Sequence, residues 1–247
     1  MAAVMALLLL SGCTLAIDKE QPLKDSELNI PNNKLGEQKC SNMAEIDYAP
    51  VMKFKGVTYS QNYRSEVGNL VKGKNIGEIR YRMSGNACYG YVMQDGDATL
   101  LEEGTQLYEV KGYASSARLW AGDLLYDAKE NPSAQSINDL LDIAGKITAV
   151  RFVSGMDGTT PLKDFTPEAT AVFAEEYPKL NYVPFNKLFK ETKGWAGGDY
   201  WIQIELSDGS AKKIIYNMKF AAFNPAGYAT PELASLVEKQ RKLMYPK

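Results

Sequence analysis

The sequence contains no histidine among its 247 residues. Histidine is the commonest general base near neutral pH and the commonest metal ligand, so its absence excludes Ser-His-Asp and Cys-His mechanisms and histidine-based zinc sites. Three scattered cysteines cannot form a four-thiolate zinc site either. We therefore expect no metal and no cofactor, and we assign no catalytic residue.

An excess of one charge sign is also missing. The 28 basic and 30 acidic residues give a net charge of −2. Because phosphate binding needs a basic excess on at least one face, this balance argues against nucleic acid as a partner. The hydrophobic content of 45% is ordinary for a globular protein, and the length allows one or two domains with a substantial core.

The apolar run at residues 2–10 is too short to span a bilayer, which needs about 20 helical residues. It suits the hydrophobic region of a secretory signal. The run ends in Leu10-Ser11-Gly12-Cys13, which resembles the bacterial lipobox. The resemblance implies that residues 1–12 are removed and that Cys13 carries a diacylglycerol, whose acyl chains (palmitate, for example) attach the protein to the outer face of the cell membrane. Two acyl chains anchor stably where one would not.

No lysine or arginine precedes this run, although export signals normally carry positive charge there. Either the true start lies upstream of Met1 or the signal is weak; the structural alternative is an apolar N-terminus with a buried cysteine. Residues 13–45 are polar, contain Pro22 and Pro31, and follow neither helix nor strand periodicity. This composition is typical of a flexible tether and supports the lipid anchor.

The sequence has two further cysteines, Cys40 within the tether and Cys88 after it. Export makes a disulfide between Cys40 and Cys88 possible, and it would stabilise the fold by about 4 kcal/mol in the chain-entropy model. Two unpaired thiols are the alternative, because spacing alone does not decide connectivity.

Residues 46–131 are predicted to form a β-rich domain. Short strand patterns are separated by turns every 8 to 12 residues, which favours a small antiparallel sheet or a barrel-like arrangement. The expected features are a strand at Met52–Tyr59, a hairpin turning near Gly73, a strand at Gln106–Lys111 and a hairpin around Gly122-Asp123.

Residues 132–247 are predicted to form an α+β domain with helices packed on an antiparallel sheet. Thr166-Pro167-Glu168 and Thr230-Pro231-Glu232 each combine a capping threonine, a proline at the first helical position and an acid near the helix dipole. A third helix is expected from Ser136 to Ala144, ended by Gly145. In the helix that begins at Thr166, Val172 is expected on the buried face. A strand at 147–153 and a hairpin over Asp208-Gly209 complete the prediction.

The segment from Gly104 to Tyr113, GTQLYEVKGY, is similar to a stretch of uncharacterised exported lipoproteins of Gram-positive bacteria. The hairpin at Asp208-Gly209 and the Ile-Ile-Tyr that follows it resemble the same proteins. The resemblance implies a Gram-positive cell envelope and carries no assigned chemistry.

The segment from Trp195 to Trp201, WAGGDYW, is the candidate binding site. Its aromatic side chains flank a flexible glycine pair and could stack on a sugar, a peptide or another apolar ligand. We predict a site made by Trp195, Tyr200, Trp201 and Phe223. In the structural alternative, Tyr200 and Trp201 alternate across a sheet and Trp195 covers one end of the core.

Other polar motifs favour structural roles. Asp95-Gly96-Asp97 lacks the ligand rhythm of a calcium loop and is expected to be a solvated turn. Glu175 and Glu176 are adjacent on a helix, so they cannot face each other across a substrate. Ser210-Ala211-Lys212-Lys213 has S-x-x-K spacing, but it spans a hairpin turn instead of opening a helix.

We therefore predict a lipid-anchored, extracytoplasmic binding or interaction protein of the bacterial envelope, with an unknown envelope ligand or protein as its partner. The alternatives are a hydrolase that uses only carboxylates on a cell-wall glycan or peptide, and an inhibitor or regulator of an envelope protein. A hydrolase needs two facing carboxylates in a cleft, one with a raised pKa, whereas a binding protein needs an accessible aromatic surface.

Replacing Cys13 by Ala removes the sulfur that would carry the lipid. We expect the variant to move from the membrane fraction to the soluble fraction when cells are fractionated and immunoblotted. A Cys40→Ala variant is the control and should stay with the membrane. Membrane retention of the Cys13→Ala variant would contradict the anchor.

Overall fold

The computed structural model describes residues 49–62, 68–225 and 227–244. This part of the chain contains four α-helices and 14 β-strands, which form two mainly antiparallel sheets. One of the sheets curls into a half-barrel. The α+β class is therefore confirmed, with a β-rich first part and helices on an antiparallel sheet in the second.

The first sheet is built from eight strands of the N-terminal part. They are β1 (Val51–Phe54), β2 (Val57–Gln61), β3 (Lys72–Glu78), β4 (Tyr81–Arg82), β5 (Asp97–Ala98), β6 (Gln106–Val110), β7 (Arg118–Ala121) and β8 (Leu124–Glu130). Their spatial order is β3-β6-β7-β8-β2-β1-β5-β4. Every neighbouring pair is antiparallel except β4 and β5.

Two turns of this sheet differ from the predictions. The single strand expected at Met52–Tyr59 is two strands, because the chain reverses at Lys55-Gly56, where both residues have positive φ (49° and 78°). Such a pair is typical of a tight hairpin turn. The turn predicted near Gly73 is wrong, since β3 runs through it as one bulged strand paired with β6. The hairpin around Gly122-Asp123 is confirmed.

The second sheet contains six antiparallel strands. They are β9 (Ile147–Val153), β10 (Pro161–Asp164), β11 (Asp199–Leu206), β12 (Ala211–Asn217), β13 (Ala222–Asn224) and β14 (Gly227–Tyr228). Their spatial order is β10-β9-β11-β12-β13-β14. The predicted hairpin over Asp208-Gly209 is confirmed and joins β11 to β12.

The helices are α1 (Ile137–Leu141), α2 (Pro167–Glu176), α3 (Phe185–Glu191) and α4 (Pro231–Lys242), with a 3-10 turn at Tyr177–Lys179. Thr166 and Thr230 cap α2 and α4 as predicted, each hydroxyl accepting a hydrogen bond from the backbone N–H three residues later. Ser136 caps α1, but this helix ends at Asp142 in a left-handed conformation instead of at Gly145. Val172 points outward from α2 and is 44% exposed, contrary to the prediction.

Buried side chains of both sheets belong to one contiguous hydrophobic cluster. Its members include Leu119 and Tyr126 from the first sheet and Ile204 and Ile214 from the second. The sequential halves of the chain are thus packed through a shared core.

Aromatic rings fill the core beneath α2. The ring of Phe173 has its centroid 5.0 Å from that of Tyr177, 5.8 Å from that of Phe165 and 6.0 Å from that of Phe223. Stacked and edge-to-face pairs of this kind add to the stabilisation from apolar burial. Phe173 therefore fixes α2 to the second sheet.

Replacing Phe173 by Ala would leave a cavity among these rings. We expect the free energy of unfolding to fall by about 3 to 5 kcal/mol, measured by urea denaturation with circular dichroism. The neighbouring Val172→Ala is the matched control, because its side chain is largely exposed, and it should change stability by less than about 0.5 kcal/mol. Equal stabilities of the two variants would contradict this placement of Phe173.

Candidate functional site

The short helix α3 carries one exposed phenylalanine, Phe189, and one half-buried phenylalanine, Phe185. Phe185 and Phe189 are four residues apart, so they lie on one helical face, and their ring centroids are 5.6 Å apart. Phe189 is 46% exposed, whereas Leu188, its neighbour in the chain, is fully buried and packs α3 onto the rest of the protein. The exposed ring of Phe189 therefore lies on a helix that is anchored through Leu188.

The turn after α3 adds a tryptophan to this face. Lys193, Gly194 and Trp195 all have positive φ, at 53°, 81° and 58°. This conformation costs roughly 1 to 2 kcal/mol for each residue other than glycine. Backbone hydrogen bonds hold the turn: the Trp195 N–H donates to Thr192 Oγ1 at 3.1 Å, and the Gly194 N–H donates to the carbonyl of Phe189 at 2.8 Å. The indole is thereby placed beside the helix.

Asp199 orients the Trp195 indole, and Asn217 in turn holds Asp199. Trp195 Nε1 donates to Asp199 Oδ2 at 3.1 Å, and Asn217 Nδ2 donates to Asp199 Oδ1 at 3.2 Å. Burial raises the pKa of Asp199, and these two hydrogen bonds partly offset the shift. The Trp195 ring lies with its centroid 6.4 Å from that of Phe185. We name Phe185, Phe189 and Trp195 the aromatic surface.

Gly197 and Gly198 allow the segment between Trp195 and Asp199 to lie against β12 and the turn that follows it. A side chain at Gly198 would collide with Met218, and a Cβ at Gly197 would be only 3.0 Å from the Cβ of Lys219. The absence of side chains lets the loop approach closely. It also brings Lys219 next to Gly197, two residues after Trp195.

The structure does not bring all four predicted residues to this surface. Phe223 has no exposed area and lies in the core, with its ring centroid 4.8 Å from that of Tyr216. The assignment of Phe223 to a binding site is therefore corrected to a core role. Tyr200 and Trp201 are neighbours on β11, and both are half-buried.

The contacts of those two residues match the structural alternative. Tyr200 packs against Phe152 and lies under the guanidinium of Arg241, 5.1 Å from its ring centroid. Trp201 packs against Gly155, where an added Cβ would be 3.3 Å from the indole. Of the predicted group, Trp195 alone belongs to the aromatic surface. The two phenylalanines of α3 were missed, although the F-x-x-x-F spacing at 185 and 189 is visible in the sequence.

A separate cluster of polar side chains is buried near the closed end of the β11–β12 hairpin. Arg118 on β7 is completely buried and donates from Nε to Asp127 Oδ1 at 2.6 Å. Lys212 Nζ on β12 donates to the same oxygen at 2.5 Å, and Ser210 Oγ accepts from Arg118 Nη1 at 2.9 Å. We name these four residues the ion cluster.

The electrostatics of the ion cluster follow from its burial. Burial disfavours the charged form of Asp127, but Lys212 and Arg118 outweigh this effect and lower its pKa to about 2. Burial lowers the pKa of Lys212 to about 8, although Asp127 opposes the shift. Ser210 and Lys213 provide the S-x-x-K spacing, yet Ser210 contacts Arg118. The geometry therefore makes this serine a structural partner.

The remaining acidic motifs are held by intramolecular contacts. Asp97 is only 4% exposed, so the solvated turn expected there is corrected: its Oδ2 accepts from Tyr91 and from the backbone N–H of Gln94. Glu175 and Glu176 both bind Lys179, at 3.0 and 2.9 Å. Within the described residues, no group of three or more acids or cysteines is arranged to hold a metal ion.

Two open depressions lie away from the aromatic surface. One of about 580 Å³ is lined by residues of α1 and α2, including Asn138 and Glu175. The other, of about 450 Å³, lies between β9 and α2 and includes Arg151 and Asp164. Neither is lined by Trp195 or by the ion cluster.

No family model, curated protein or solved structure matches this chain. Within the described ranges, no helix is both long and apolar enough to cross a membrane. Cys13 and Cys40 lie outside the described residues, and Cys88 is disulfide-bonded. Lipid attachment at Cys13 and pairing of Cys40 with Cys88 stay predictions.

Replacing Asp127 by Asn would leave two buried cations without their counterion. We expect the free energy of unfolding to fall by about 3 to 5 kcal/mol near neutral pH. Because the folded-state pKa of about 2 lies below the ordinary value of 3.8, the carboxylate stabilises the fold above pH 4 and loses this effect as pH falls toward 2. The difference between wild type and variant should shrink across that interval.

The measurement is urea denaturation at a series of pH values. Asp123→Asn is the control, because Asp123 is 97% exposed and pairs with Lys72 at the surface, so its loss should have little effect. A difference between wild type and Asp127→Asn that does not change below pH 4 would contradict the assigned role of Asp127.

Proposed function

We propose that this protein is a lipid-anchored binding protein on the outer face of a bacterial membrane, attached through a diacylglycerol on Cys13 and contacting its partner through the aromatic surface. The observation that supports the binding role is the exposure of Phe189 beside Phe185 and Trp195. The lipobox resemblance at Leu10–Cys13 supports the anchor.

The backbone of the turn supports a role in presentation. Two residues other than glycine, Lys193 and Trp195, adopt left-handed conformations to place the indole. Unfavourable backbone conformations persist where surrounding contacts hold them and cluster at binding sites. Here Thr192 and Asp199 supply those contacts. The arrangement favours recognition over simple loop closure.

The site chemistry favours binding over hydrolysis. A carboxylate-dependent hydrolase needs an acid with a raised pKa that faces a second carboxylate. The pKa of Asp199 is raised, but both of its oxygens accept hydrogen bonds, from Trp195 and Asn217. Its position is that of a support for the indole.

Photocrosslinking in Gram-positive cells tests the binding role. A photoreactive phenylalanine analogue at position 189 of the full chain should form adducts after irradiation, because this side chain would contact the partner. The same analogue at position 172, which is exposed to a similar degree on α2, is the matched control. Mass spectrometry identifies the adducts. Equal labelling at both positions, or no adduct at 189, would contradict a contact surface on α3.

A further inference from the structure

Four exposed lysines lie in α3, in the turn after it and in the segment that packs against Gly197. Lys187, Lys190 and Lys193 lie on α3 and its turn, and Lys219 lies against Gly197; all four are exposed. The acids in the same segments are Glu191 and Asp199. This part of the surface therefore carries a local positive excess on a chain whose net charge is −2.

Phe189 is the most exposed member of the aromatic surface, and Phe185 and Trp195 are half-buried beside it. Neither depression described above includes Phe185, Phe189 or Trp195. A small ligand is usually enclosed by its pocket, whereas an exposed ring such as that of Phe189, with half-buried rings beside it, fits an extended apolar boundary. Phe220 is half-buried beside Lys219, whose Nζ lies 5.3 Å from its ring centroid. The pattern of aromatic and basic groups thus continues beyond α3.

We propose that the aromatic surface and its four lysines contact an anionic phospholipid membrane. Phe189 and Trp195 enter the boundary between headgroups and acyl chains, and the lysines interact with lipid phosphates. Aromatic rings favour this boundary, and basic side chains favour anionic leaflets. The local excess of lysine and the exposed ring of Phe189 carry this choice of partner.

The proposal rests on the proposed function, because a lipid on Cys13 would keep the folded part near the bilayer. Tethering turns a weak second contact into an intramolecular one with a high effective concentration. A short helix with a few lysines therefore suffices to set how the folded part faces the membrane. The lipid supplies retention, and the α3 region supplies orientation.

Vesicle co-sedimentation tests the contact without the lipid. The full chain with Cys13→Ala is mixed with phosphatidylcholine vesicles, or with vesicles of equal parts phosphatidylcholine and phosphatidylglycerol. Every variant retains this background, so the apolar N-terminal run is constant. We expect stronger partitioning onto the anionic vesicles, and added salt should weaken it.

Two variants separate the apolar and electrostatic contributions. Phe189→Ser should lower the partition coefficient about tenfold, because its ring no longer enters the boundary. Lys190→Gln combined with Lys193→Gln should lower it on anionic vesicles by about fivefold for each lysine. The control for the apolar variant is Val172→Ser on α2. The control for the lysine variant is Lys239→Gln combined with Lys242→Gln on α4. Both controls should bind as the parent does. Circular dichroism and thermal unfolding establish that each variant is folded.

Each outcome decides between the proposals. Binding of the α3 variants that equals binding of the controls would overturn the membrane contact, as would equal binding to neutral and anionic vesicles. Protein or glycan adducts at position 189, without lipid adducts, would overturn it while leaving the proposed binding role intact. Failure of the anchor is scored separately, by fractionation of the Cys13→Ala variant in cells.

Discussion

The shared pairing of Arg118 and Lys212 with Asp127 is the interaction on which the junction of the two sheets depends. Asp127 and Arg118 belong to the first sheet, and Lys212 belongs to the second. Burying these charges is unfavourable unless each one has a partner. The Tyr113 ring covers the cluster, with Arg118 and Lys146 at 4.8 and 4.0 Å from its centroid. The charges therefore favour the packing of the sheets in which these partners meet.

The β11–β12 hairpin connects this junction to the aromatic surface. Its closed end carries Ser210, next to Arg118, and its open end pairs Asp199 with Asn217. Strands of this length separate the two ends by roughly 25 Å. One hairpin thus fixes the sheets at one end and orients the Trp195 indole at the other. The position of the turn after α3 thus depends on the hairpin as well as on the hydrogen bonds to Phe189 and Thr192.

Local chemistry made much of the fold predictable, because threonine caps and Asp-Gly turns act over a few residues. The ion cluster was not predictable, since Asp127 and Lys212 are 85 residues apart and neither stands in a recognisable motif. Helix α3 lacks a side-chain cap and follows Pro184. Glycine at position 73 predicts a turn from its composition alone, but here it lies in a bulge of β3, against Glu109. Trp195 could be chosen from composition, but its partners depend on the fold.

The hydrogen bond from the Trp195 indole to Asp199 limits how selective the aromatic surface can be. Its one polar hydrogen is already donated within the protein, and the phenylalanines of α3 have none to offer. Contacts made by ring faces and edges discriminate poorly among molecules, because they lack directional donors and acceptors. Contacts of this kind suit the distinction of one kind of environment from another better than a choice among closely related compounds.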